Sequence, residues 1–149
     1  MAYSEKDLNT QWMPEIRWAD GENVNLVNIR SAIQEEADQA GIPVAFREDI
    51  LKTGGLFNRQ QEEILIMFNP EHPTDYLRFA IRVWHQGRYG FMGVYNLGGS
   101  KNFANANAAA SGSTLKKLTG LFGGREQKLK IEQNYYDILH DCLNNVAGI

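Results

Sequence analysis

Ile64, Leu65, Ile66, Met67 and Phe68 form an unbroken apolar run bounded by Glu62-Glu63 and by Asn69-Pro70. The run is short for a helix, and apolar residues without alternation are the pattern of a strand covered on both faces. The chain must therefore place material above and below this segment, which predicts an interior strand in a layered α+β domain. With 149 residues, 43% of them apolar, one core of that kind is within reach.

The elements expected around this strand follow from spacing and turn chemistry. Over about 22–40, Leu26, Ile29, Ile33, Ala37 and Ala40 recur three and four residues apart, which predicts an N-terminal amphipathic helix. Gly41 and Pro43 suit its end, since glycine accepts the left-handed conformation and proline cannot extend the helix. Strands are expected at 44–51, 62–69, 76–86 and 88–97, separated by Gly54-Gly55, Asn69-Pro70, His72-Pro73 and Gln86-Gly87. The economical arrangement is a four-stranded antiparallel meander, with a short helix at 115–122 and a long one at 125–147 packed on it. Residues 1–21 lack a sustained period, yet Trp12, Met13, Ile16 and Trp18 require a docked arm. The whole of 1–149 is expected to form one domain.

Residues 96–114 contain 15 Gly, Ala, Asn or Ser in 19, so a flexible loop is expected over 98–114. Within it, Ser100-Lys101 with Ala104 and Ala108 resembles the glycine-rich turn and helix start of double-stranded RNA-binding domains. The run of lysines that would clamp phosphates at that helix start is missing.

Charge is unevenly distributed in a chain of net charge −3. Residues 1–75 hold six basic and 14 acidic side chains, and 76–149 hold nine and four. No carboxylate occurs between Tyr76 and Arg125, a stretch carrying Arg78, Arg82, Arg88, Lys101, Lys116 and Lys117. Such a gap favours an anionic partner if those charges converge, and otherwise meets the acidic half of the same fold or of a second copy.

Strand alternation sharpens this. It sends Leu77, Phe79, Ile81, Val83 and His85 to one face and Tyr76, Arg78, Ala80, Arg82 and Trp84 to the other. A two-residue turn after the third strand adds Met92 and Val94 to the first face, and Tyr89, Phe91, Gly93 and Tyr95 to the second. The first set reads as core. The second gathers Tyr76, Trp84, Tyr89, Phe91 and Tyr95 around arginines, a combination that stacks on bases and neutralises phosphate in an open site. Under a cover, the same side chains pair with one another through cation–π contacts.

Catalytic patterns are weaker. His140, Asp141 and Cys142 are consecutive on a helix and point about 100° apart, so they cannot meet on one reacting atom. His72 and Asp75 are too few for a metal site, and His85 closes a core face. The single cysteine, Cys142, excludes an intramolecular disulfide and every CxxC site. The opening residues lack an apolar leader and no 18-residue apolar run occurs, so a cytoplasmic chain with no membrane span is expected.

The leading expectation is a non-enzymatic protein-interaction or adaptor module, without cofactor or metal, that contacts a protein partner or a second copy as a homodimer. Nucleic-acid or other polyanion binding through the Arg/aromatic face is the alternative, and a small hydrolase or transferase the third.

Overall fold

The computed structural model describes residues 2–8, 10–54, 60–71, 77–97 and 123–147. The fold is mixed α+β, but its sheet has six strands. In chain order these are β1 (Ala2–Ser4), β2 (Gln11–Trp18), β3 (Ala45–Thr53), β4 (Gln60–Phe68), β5 (Arg78–Gln86) and β6 (Tyr89–Asn96). Helix α1 (Leu26–Ala40) lies between β2 and β3, and α2 (Gly123–Ala147) is the last element described. The spatial order is β1-β3-β4-β5-β6-β2, antiparallel throughout except for the parallel β1–β3 pair.

This corrects the four-stranded sheet opened by a helix. β3 to β6 do succeed one another as antiparallel neighbours, but two strands precede the helix and add to opposite edges. β2 escapes a reading by period because it is bulged. Its register against β6 shifts between Gln11 and Met13 and again between Met13 and Ile16, around Pro14. Adjacent Trp12 and Met13 consequently both join the helix-side core, which strict alternation forbids. β1 is only three residues long and carries no period at all. The expected loop at 98–114 and short helix at 115–122 lie outside the described residues.

Helix α1 is bounded by local chemistry. The Asn25 side chain accepts the Asn28 backbone N–H at 2.8 Å, satisfying one donor of the first turn. At the other end Gly41 has φ +74° and the Ile42 N–H reaches the Ala37 carbonyl at 3.0 Å, a Schellman closure. Its buried stripe of Ile29, Ile33 and Ala37 packs with Tyr135, Tyr136, Leu139, Leu143 and Val146 of α2 over one face of the sheet. That face supplies Met13, Leu65, Met67, Phe79, Ile81, Met92 and Val94.

A second apolar cluster lies on the opposite face, where Tyr3 and Leu8 cover Leu51, Ile64, Ile66, Ala80 and Tyr95. The apolar run in β4 is thereby explained. Leu65 and Met67 face the helices, while Ile64 and Ile66 face the N-terminal segment. That segment imposes a shape on the sheet. Five strand spacings would set the edges of a flat sheet about 24 Å apart. Six residues including a 3-10 turn at Glu5–Leu8 reach only about 18 Å. The sheet must curl around the crossing chain, and the Asn96 N–H donates to the Thr10 carbonyl at 2.8 Å where the crossing ends.

Candidate functional site

β5 and β6 form a hairpin closed by Gly87-Arg88. Gly87 takes φ +57°, a conformation that a two-residue turn needs and glycine tolerates. The turn fixes the cross-strand pairs Ala80↔Tyr95, Arg82↔Gly93, Trp84↔Phe91 and Gln86↔Tyr89. The side chains of Arg78, Arg82, Trp84, Tyr89, Phe91 and Tyr95 accordingly share the face turned away from the helices. They do not form one patch, because the N-terminal crossing covers the Ala80–Tyr95 end and leaves the hairpin end uncovered among the described residues.

At the border between the two halves, Arg82 Nε donates to both Glu62 carboxylate oxygens, at 3.1 and 3.0 Å. Glu62 holds the guanidinium above its ordinary value, and partial burial opposes this. The Tyr95 phenol is raised chiefly by burial, with Glu15 adding and Arg82 opposing. Arg82 is thus committed inside the fold.

Beyond that border the aromatic side chains engage each other and arginine. Trp84 and Phe91 stack with centroids 5.5 Å apart and planes 6° apart, and the Arg82 guanidinium lies 5.6 Å from the Trp84 ring centroid. Tyr89 is flanked by two guanidinium groups, Arg88 at 5.2 Å and Arg17 of β2 at 5.6 Å. Arg17 was not among the residues expected from sequence. Only the pairing of Arg17 with Phe91 in the unrecognised strand β2 brings it here.

The remaining expected residues are elsewhere. Arg78 stands opposite Phe68 at the far end of β5, and its Nε is buried without a hydrogen bond among the described residues. Arg88 is exposed at the turn. Tyr76, Lys101, Lys116 and Lys117 lie outside the described residues, as do His72 and Asp75.

The catalytic patterns do not converge either. Cys142 is buried in the core, where desolvation pushes its thiol up, while Asp141 is exposed on the neighbouring helix position. The His140 ring meets Trp12 edge-on at 5.1 Å. His85 Nε2 lies 2.9 Å from the Gly21 carbonyl oxygen. Among the described residues no three His, Cys, Asp or Glu side chains could hold a metal ion, and no helix is long and apolar enough to cross a membrane.

No family model matches this chain, and no significant match exists among curated proteins or solved structures.

Proposed function

We propose that the chain is a protein-interaction module that contacts a partner through the hairpin end of the sheet, with Trp84 and Phe91 at the centre and Arg17 and Arg88 at the rim. The observation that carries this reading is the Trp84–Phe91 stack, partly exposed and backed by Arg82. Tryptophan, tyrosine and arginine at the centre of a contact account for much of the binding energy in protein interfaces, where they fill desolvated pockets. The rim guanidinium groups favour a partner surface with carboxylates around an apolar projection.

Nucleic-acid binding through the same face is less well supported. Base stacking needs free ring faces and unpaired cations. Here Trp84 already stacks on Phe91, and Arg82 already has its counter-charge in Glu62.

The test places a benzophenone amino acid at Phe91 in the full chain and irradiates it in cells that express the chain naturally. A crosslinked protein of one defined mass is expected. It should be absent in a Trp84→Ala background and absent when the probe stands at exposed Lys130 on α2. Crosslinking only to a second copy would make the contact a homodimer. Tight oligonucleotide binding with a steep salt dependence, unaffected by Trp84→Ala, would replace this reading with polyanion binding.

A further inference from the structure

A second surface, on the other edge of the sheet, has the marks of a peptide groove. β1 pairs with β3 only at Ile50, Leu51 and Lys52, so the outer backbone edge of β3 over Ala45–Glu48 has no strand beside it among the described residues. Adjoining this edge at Glu48, between α1 and the Glu48–Ile50 and Glu63–Leu65 stretches of β3 and β4, lies a groove of about 390 Å³ whose apolar lining includes Leu26, Val27, Ile50 and Leu65. Val27 is 73% exposed and Ile50 40%, two of the four exposed large apolar side chains among the described residues. Their presence on one groove is the reason to treat it as a contact surface rather than as scattered surface apolarity.

The groove also has a charge. Glu48 and Glu63 stand on the helix side of β3 and β4, next to Ile50 and Leu65, and make no ion pair among the described residues. The basic side chain in the lining, Arg30, lies with its guanidinium 5.5 Å from the Phe46 ring centroid. The other side of this edge is internally satisfied, with Arg47 paired to Asp49 at 3.5 Å and donating to the Tyr3 hydroxyl at 3.0 Å. Acidic rim and apolar floor thus face the same way.

We infer that the β3 edge and this groove bind an extended segment of a partner protein in which apolar residues alternate with lysine or arginine. Main-chain hydrogen bonds to Ala45–Glu48 would prolong the line of β1, which already adds to the same edge. Beyond Glu48, where Ala2 of β1 already pairs with Ile50, the segment would leave the edge and lay its apolar side chains in the groove beside Val27 and Ile50, with its cations at Glu48 and Glu63. A strand added in this way receives its register from the pockets and its choice of partner from the charges.

The probe is an end-blocked nine-residue peptide of alternating lysine and valine, titrated into the isotope-labelled full chain and followed by amide NMR. Its control is the same peptide with glutamate for lysine. The lysine peptide should shift the amides of residues 45–50 and slow their hydrogen exchange, while the glutamate peptide should not. Glu48→Lys with Glu63→Lys should weaken the lysine peptide by about tenfold or more and confer binding of the glutamate peptide. Both positions are exposed or at the groove rim, so amide dispersion will report that the variant is folded. Val27→Ser, which removes apolar surface without adding charge, should weaken the lysine peptide without affecting the Phe91 crosslink, which separates this surface from the one above. Equal binding of the two peptides, shifts centred on another face, no binding at millimolar peptide, or pairing of the β3 edges of two copies would each overturn the inference.

Discussion

Tyr95 lies over Gly93 on the same strand face, so closely that a Cβ at Gly93 would stand 2.6 Å from the Tyr95 hydroxyl oxygen. The ring needs that space to reach Arg82, the cross-strand partner of Gly93. Gly93→Ala is therefore expected to push Tyr95 off the sheet, at about 1 to 3 kcal/mol in a packed site. Denaturant unfolding of Gly93→Ala, Tyr95→Ala and the double variant checks this. The alanine at 93 should cost far less once the ring is gone. Additive losses would mean that the two residues do not compete for the same volume.

A related expectation concerns Arg82. A ligand-reading face that included Arg78 and Arg82 would let Arg78→Glu with Arg82→Glu abolish binding in an intact fold. With Glu62 at 3.0 Å, Arg82→Glu instead sets two carboxylates against each other. The pair is 30% and 26% exposed, so solvent screening holds its worth to about 1 kcal/mol or less. Arg82→Glu should lower stability by roughly 1 kcal/mol, and the exchange Arg82→Glu with Glu62→Arg should restore most of it. A single variant as stable as wild type would return Arg82 to the list of free cations.

The sequence was legible where each side chain had one environment, and illegible where environment came from a distant edge. Leu77, Phe79, Ile81 and Val83 alternate cleanly because β5 lies between β4 and β6 with helices on one side. The same alternation placed Trp84, Tyr89, Phe91 and Tyr95 on the opposite face, as the β5–β6 register has them. It could not divide that face, because the division depends on where Tyr3 and Leu8 cross it, and neither residue belongs to a periodic segment. Nor could it supply Arg17, whose strand is bulged at Pro14, or Glu62, which looks like solvated charge beside Glu63. Both partners are properties of pairing, and pairing between elements far apart in sequence leaves no local trace.

The N-terminal crossing offers a third prediction. Leu8 is 8% exposed and covers Ile64, Ile66 and Ala80 of the central strands. Leu8→Ala removes that cover and should cost about 2 kcal/mol or more, as buried leucine truncations do. Apart from Leu8, β1 itself is held by its three-residue pairing with β3, by burial of Tyr3 and by the Arg47–Tyr3 hydrogen bond at 3.0 Å. The variant should therefore release β1 as well, seen as faster amide exchange at residues 2–4 and increased binding of a hydrophobic dye. Unchanged exchange there would show that β1 holds to β3 without help from Leu8.

Alkaline pH probes the joint between α2 and the start of β3. The Tyr135 hydroxyl donates to the Pro43 carbonyl at 2.6 Å, and burial pushes its phenol well above the ordinary value of 10.0. A proton held more tightly in the folded state than in the unfolded one stabilises the fold fully below the unfolded pKa. That contribution is lost as pH rises from about 10 through the folded pKa. Tyr135→Phe removes both the hydrogen bond and the titration. At pH 8 it should be less stable than wild type by about 1 to 3 kcal/mol, since the Pro43 carbonyl loses its donor. Above pH 10 the wild type should lose stability faster than the variant, and the gap between them should narrow. Tyr95, also raised by burial, contributes an equal slope to both proteins and so does not disturb the comparison. Urea unfolding at pH 8 and pH 11 measures the two gaps. A gap of the same size at both values would show that Tyr135 keeps its proton equally well in the folded and unfolded chain, and that the Pro43 hydrogen bond does not govern its ionisation.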